Sequence, residues 1–202
     1  MREALSTARP SGLRLAGALA LVVGGALLGL GAVSTWGSVG LSEQIDPDRA
    51  ITAVIPGIDL WEGVLALAAA VAVMLGLVAL RLVRRTSTRR LIAVAVVVVG
   101  FGAAALAATV ALRIQDRLVQ TEGLDAYAHA LSDSLDLPFD QVRTEIEDAF
   151  LRDLLVETGS GVWLAVVGGI VAGIGGILSL AWVRQQDLEN LSEPQPPRPI
   201  AA

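Results

Sequence analysis

Four apolar runs, each about twenty residues long, leave this chain few folds to choose from. They are "LAGALALVVGGALLGLGAV" (15–33), "WEGVLALAAAVAVMLGLVAL" (61–80), "LIAVAVVVVGFGAAALAATVAL" (91–112) and "VWLAVVGGIVAGIGGILSLAWV" (162–183). At a rise of about 1.5 Å per residue, each reaches across a hydrocarbon core of about 30 Å. Lipid offers no partner to a bare amide, so a spanning segment must bond its own backbone, as a helix does. The expected fold class is therefore all-α: an integral membrane four-helix bundle of two helical hairpins, with a small extracytoplasmic helical cap between helices three and four.

Polar residues are scarce outside the connections. The chain is 54% hydrophobic and 17% charged, against about 25% charge in ordinary soluble domains. All fifteen basic side chains are Arg, and Ala, Val, Leu and Gly dominate the rest, a bias that fits a GC-rich bacterial genome. Cysteine is absent, which excludes disulfides, thiol chemistry, Cys-ligated metals and a Cys-linked lipid anchor. The first run follows Arg2, Arg9 and Arg14 and resembles a signal peptide, but it exceeds the roughly 7–15 apolar residues of a cleaved one. It reads as a retained span.

Arginine placement sets the expected topology, because cytoplasmic loops hold the excess of basic residues. "RLVRRTSTRR" (81–90) carries Arg81, Arg84, Arg85, Arg89 and Arg90 with no acid. Residues 34–62 hold five acids against Arg49, and residues 113–160 hold eleven acids against four Arg. The expected division is a cytoplasmic segment 1–14, then three spans within 15–112 with an acidic outer loop 34–60 and a cytoplasmic turn 81–90. An acidic outer cap follows over 113–160, then a fourth span over 161–183 and a disordered Pro-rich cytoplasmic tail over 184–202. The localisation is the plasma membrane, with both termini inside.

Candidate functional residues fall in five groups. Trp36, Trp61 and Trp163 at the outer ends of spans, and Trp182 at an inner end, suit interfacial anchoring, since indole rings prefer the headgroup level. Gly25 with Gly29, Gly100 with Ala104, and Gly169 with Gly173 form small-xxx-small faces that let helix backbones approach. The five Arg of the turn serve topology or contact with anionic lipid. Thr86, Ser87 and Thr88 between them are candidates for phosphorylation. Asp125, His129 and Asp133 lie one helical turn apart, a pattern for a divalent metal or a pH-sensing imidazole, although solvated surface residues are the commoner outcome.

The cap itself reads as two helices. Leu124, Tyr127, Leu131 and Leu135 share one face, and after "SDSLDLP" the residues Phe139, Val142, Ile146, Phe150 and Leu154 share another, with Gly159 and Gly161 ending the second helix. Its acidic side disfavours anionic lipid and suits packing or a partner.

No catalytic motif is present: no HExxH, no GxSxG, no phosphate-binding Gly-rich loop followed by Lys, and a single His. Without ionisable or Pro-broken span centres, an autonomous transport pathway is not expected either. In layout the chain resembles small four-helix membrane proteins of high-GC bacteria, including the family associated with tryptophan operons. The residues that carry this are the Arg-rich turn, "GIDLWEGVLAL" (57–67) and "GSGVWLAVVGG" from Gly159, and the likeness covers about residues 13–183. It implies no activity. The expected role is that of a non-catalytic accessory or scaffold protein, with a transporter's regulatory subunit or a pH or cation sensor as alternatives. Membrane lipid and a membrane or envelope protein, or a second copy of the chain, are the expected partners; no cofactor and no nucleic acid are.

Overall fold

The computed structural model describes residues 10–41, 52–117, 123–149 and 154–192. In chain order they form α1 (Pro10–Val33), β1 (Thr35–Leu41), β2 (Thr52–Pro56), a 3-10 turn (Gly57–Asp59), α2 (Trp61–Leu82) and α3 (Thr86–Arg117). Then come α4 (Gly123–Leu135), α5 (Phe139–Ala149), β3 (Leu154–Thr158) and α6 (Ser160–Ser192). Four helices are long and apolar enough to cross a membrane, over Gly12–Val33, Trp61–Leu82, Thr86–Arg113 and Ser160–Glu189.

These four helices pack in a ring, α1 on α2 and α6, and α3 on α2 and α6. Neighbours run antiparallel, and the buried seams repeat every seven residues. Ala66, Val73 and Leu80 of α2 are buried, as are Ala93, Gly100 and Ala107 of α3. A seven-residue repeat falls just short of two full helical turns, so helices that keep it in contact supercoil left-handedly.

The deepest seam joins α1 to α6. Gly17, Gly24 and Gly31 meet Gly175, Gly168 and Gly161, also seven apart in the opposite direction. A Cβ on Gly24 would fall within 3.0 Å of the Ala172 backbone, and one on Gly31 would crowd the backbone of Ala165. Where lipid is as apolar as the neighbouring helix, this backbone approach supplies the dispersion contacts that hold the pair. Hydroxyls on the spans are satisfied locally: buried Ser179 Oγ donates to the Gly175 carbonyl at 2.8 Å, and exposed Thr109 Oγ to that of Ala105 at 2.8 Å.

The architecture departs from all-α at one end. β1 is the centre of a three-stranded antiparallel sheet of order β2-β1-β3. Its register pairs Ser38 with Val54 and Glu157, and Val39 with Ala53 and Val156. The three strands join directly to three spans, β1 leaving α1, β2 leading through the 3-10 turn to α2, and β3 leading to α6. The segment expected to be an acidic loop at 34–60 thus contains two strands. The expected helical stripe ending at Leu154 also stops early: α5 closes at Ala149, Leu154 begins β3, and Phe150 lies outside the described residues. Pairing with β1 gives one side of the 154–158 backbone its hydrogen-bond partners.

Other boundaries move as well. The turn expected over 81–90 is only Val83–Arg85, because Arg81 extends α2 and Arg89 and Arg90 lie in α3. Arg is a good helix former, so the helices continue past their apolar stretch. For the same reason α6 runs through "RQQDLENLS" (184–192), where a disordered tail was expected. The Pro-rich remainder, 193–202, lies outside the described residues, as do residues 1–9 with Arg2 and Arg9.

Candidate functional site

At the sheet end, the close packing centres on Trp36. Its side chain is fully buried, and its indole N–H donates to the Gly31 carbonyl at 2.8 Å. It is therefore a core residue and no interfacial anchor. The register shift between Thr35 and Gly37 places a bulge at Trp36, which turns the ring into the bundle instead of along the sheet. Two backbone bonds clamp this corner, Gly57 N–H to the Ser34 carbonyl at 2.9 Å and Gly159 N–H to the Trp36 carbonyl at 2.8 Å. A Cβ on Gly57 would strike the Trp36 ring and the Ala32 carbonyl, and one on Gly159 would strike the Thr35 carbonyl. The glycines of "GIDLWEG" and "GSGVW" are close-approach residues on either side of β1. Glu62 is buried in the first turn of α2, where a carboxylate complements the helix N-terminus. Trp61 and Trp163 lie near the same end and are 56% and 53% exposed, on the outer surface.

The helical pair α4 and α5 packs against β2 and β1 through α4. The His129 ring rests on Phe139 with centroids 4.0 Å apart, and its Nδ1–H donates to the Asp125 carbonyl at 2.9 Å. Asp125 in turn pairs with Arg143 at 3.1 Å. Asp125 and His129 are thus spent on joining the two helices while Asp133 is exposed, and among the described residues no three His, Cys, Asp or Glu come together as a metal site. Between the helices the chain reverses at Asp136, whose φ of 54° makes it the one non-glycine residue with positive φ among those described. Leu137 N–H reaches back to the Ser132 carbonyl at 3.3 Å and Ser132 Oγ donates to the Leu137 carbonyl at 2.6 Å, closing the end of α4. This tip presents Leu135 and Leu137, 54% and 40% exposed, among the exposed acids Asp133, Asp136 and Asp140.

The opposite end gathers the arginines. Arg89 Nε donates to the Val83 carbonyl at 2.5 Å, capping α2, and its Nη1 reaches Gln186 Oε1 at 3.4 Å. Arg90 pairs with Asp187, which ties α3 to the polar extension of α6. Arg84 and Arg85 project from the turn, and Thr86, Ser87 and Thr88 form the first turn of α3. Trp182, expected as an inner anchor, is only 8% exposed. The Arg14 and Arg89 guanidinium carbons lie 5.4 and 5.5 Å from its ring centroid, within cation–π range. Beside it opens a small, shallow cleft lined by Arg14, Ala18, Leu77, Leu80, Arg81, Ser179 and Trp182. Arg14 and Trp182 are far apart in sequence, and no short-range pattern joins them.

Of the small-residue faces, Gly100 lies directly against Gly169 and Gly173, and Gly169 against Ala104. Gly25 meets the flexible side chain of Met74, and Gly29 has only Ala70 at 3.8 Å. The seven-spaced glycines of α1 and α6 approach backbone more closely than Gly25 and Gly29 do, and their spacing was the signal to look for.

Four spanning helices with a small-residue interior and polar ends define a polytopic helical membrane protein. The chain belongs to the tryptophan-associated transmembrane protein family, whose profile it matches over residues 18–192. No curated protein matches it.

Proposed function

We propose that this chain is a non-catalytic accessory protein of the plasma membrane, with both termini in the cytoplasm, that holds an envelope partner against its extracytoplasmic sheet and helical pair. The observation that carries this is the tip between α4 and α5. Leu135 and Leu137 stand exposed at the turn between α4 and α5, outside the spans, beside Asp133, Asp136 and Asp140. Exposed leucines on the spans are accounted for by lipid; these two are not, and the adjoining acids oppose burial in an anionic bilayer surface. The close packing of α6 on α1 and α3, where Gly24, Gly31 and Gly100 meet backbone, supports the same reading. A partner that is itself a transporter would make this chain its regulatory subunit.

The test is a photo-crosslinking residue at position 137, activated in intact membranes and followed by mass spectrometry. A discrete adduct to another envelope protein, lost when Leu135 and Leu137 are both changed to Ser, is the expected result. Adducts to lipid alone, or none, would remove the basis for the accessory role.

A further inference from the structure

The cleft at the arginine end is independent of that tip and has its own chemistry. Two guanidiniums, Arg14 from α1 and Arg81 from α2, stand at its rim, and the buried Trp182 forms its wall. Among the described residues no acid pairs with either of them; Asp187 is taken by Arg90, and Asp125 by Arg143 at the other end. Arg14 is held over the Trp182 ring, which fixes its fork while leaving N–H donors to spare. Arg89, by contrast, is committed to the Val83 carbonyl. Below the rim the walls turn apolar, with Ala18 and Leu77, and beyond them the outer surface continues with exposed Leu15, Leu19 and Val78. A group that fits must be anionic at one end, to engage two arginines, and hydrocarbon at the other.

We infer that this cleft binds the phosphate of an anionic phospholipid, with Arg14 and Arg81 as its ligands and Trp182 as the platform that positions Arg14. Guanidinium forks match phosphate oxygens in pairs, and a site at the end of the spans lies at headgroup depth. The acyl chains run down the lipid-facing side of α1 and α2. This differs from the diffuse attraction of a basic turn, in which all arginines count alike. Here Arg14 and Arg81 matter, and Arg84 and Arg85 do not.

The experiment is native mass spectrometry of the full chain in mild detergent, titrated with phosphatidylglycerol or phosphatidylcholine. The wild-type chain is expected to retain phosphatidylglycerol preferentially. Arg14→Gln with Arg81→Gln should weaken that retention about tenfold or more, whereas Arg84→Gln with Arg85→Gln should change it less than about twofold. Ala18→Leu, which keeps every charge and fills the cleft, should also lower retention, and covers the case in which the double arginine variant fails to fold. Equal losses from both arginine pairs would overturn the site in favour of diffuse charge. Unchanged retention in the Arg14/Arg81 variant would overturn it outright. Displacement of the lipid by millimolar inorganic phosphate would overturn the lipid assignment and make the site one for free phosphate.

Discussion

Gly24 and Gly25 are neighbours in sequence and face different partners. A methyl group on Gly24 would collide with the Ala172 backbone, which cannot yield without parting α1 from α6; on Gly25 it would meet the Met74 thioether, which can swing aside. Gly24→Ala should therefore cost about 1–3 kcal/mol, the usual range for overpacking, and Gly25→Ala well under that. Thermal unfolding of the detergent-solubilised variants, compared at equal detergent, checks the order; equal losses would show that α1 and α6 do not meet as described. Four-residue spacing draws attention to Gly25 and Gly29 in the sequence, because that is the pattern of right-handed pairs. An antiparallel left-handed seam repeats at seven, so the positions that matter most were legible only under the other period. The place of Trp36 is hidden from the sequence for a related reason. An indole at the end of an apolar run suits an interface and a core equally, and the bulge that turns it inward depends on residues that come later in the chain.

The helices and the strands differ in how openly they declare themselves. A span needs about twenty apolar residues and little else, so all four were readable, and their extra polar turns were hidden only by the habit of ending a span where charge begins. β1, β2 and β3 are five to seven residues long; β1 is broken by Gly37 and Gly40, and β3 continues the helical spacing of α5. Short strands are defined by their partners, and β1 finds β3 more than a hundred residues away. The pair α4 and α5 was readable from its stripes, but the way it is joined was not. His129 on Phe139 and Asp125 with Arg143 supply that joint. An aromatic contact is worth about 0.5–1.5 kcal/mol beyond its buried area, and a half-exposed ion pair about 1 kcal/mol or less. His129→Ala should thus speed amide hydrogen exchange in α5 more than Arg143→Gln does, with the spans unaffected. Faster exchange in α2 or α3 would mean that the pair is coupled to the bundle.

The molecule as a whole has two unlike ends, a sheet clamped by glycines and a set of arginines gathered on Trp182. If both termini are cytoplasmic, a cysteine placed at Ser87 and one placed at Ser134 lie on opposite sides of the membrane. The chain has no native cysteine to confuse the result. An impermeant maleimide added to intact cells should label Ser134→Cys at once and Ser87→Cys only after permeabilisation; the reverse pattern would invert the proposed orientation. The cleft shows why such a site escapes a linear reading, since its lining comes from the start, middle and end of the chain. The placement of β1 has a further consequence, for biosynthesis. When α1 and α2 have left the ribosome, β1 can pair with β2, but its other edge waits for β3. At synthesis rates of about 5–20 residues per second, that edge stays open on the order of ten seconds. Unpaired strand edges recruit other chains, so a nascent protein stalled before β3 would leave one edge of β1 open to such pairing.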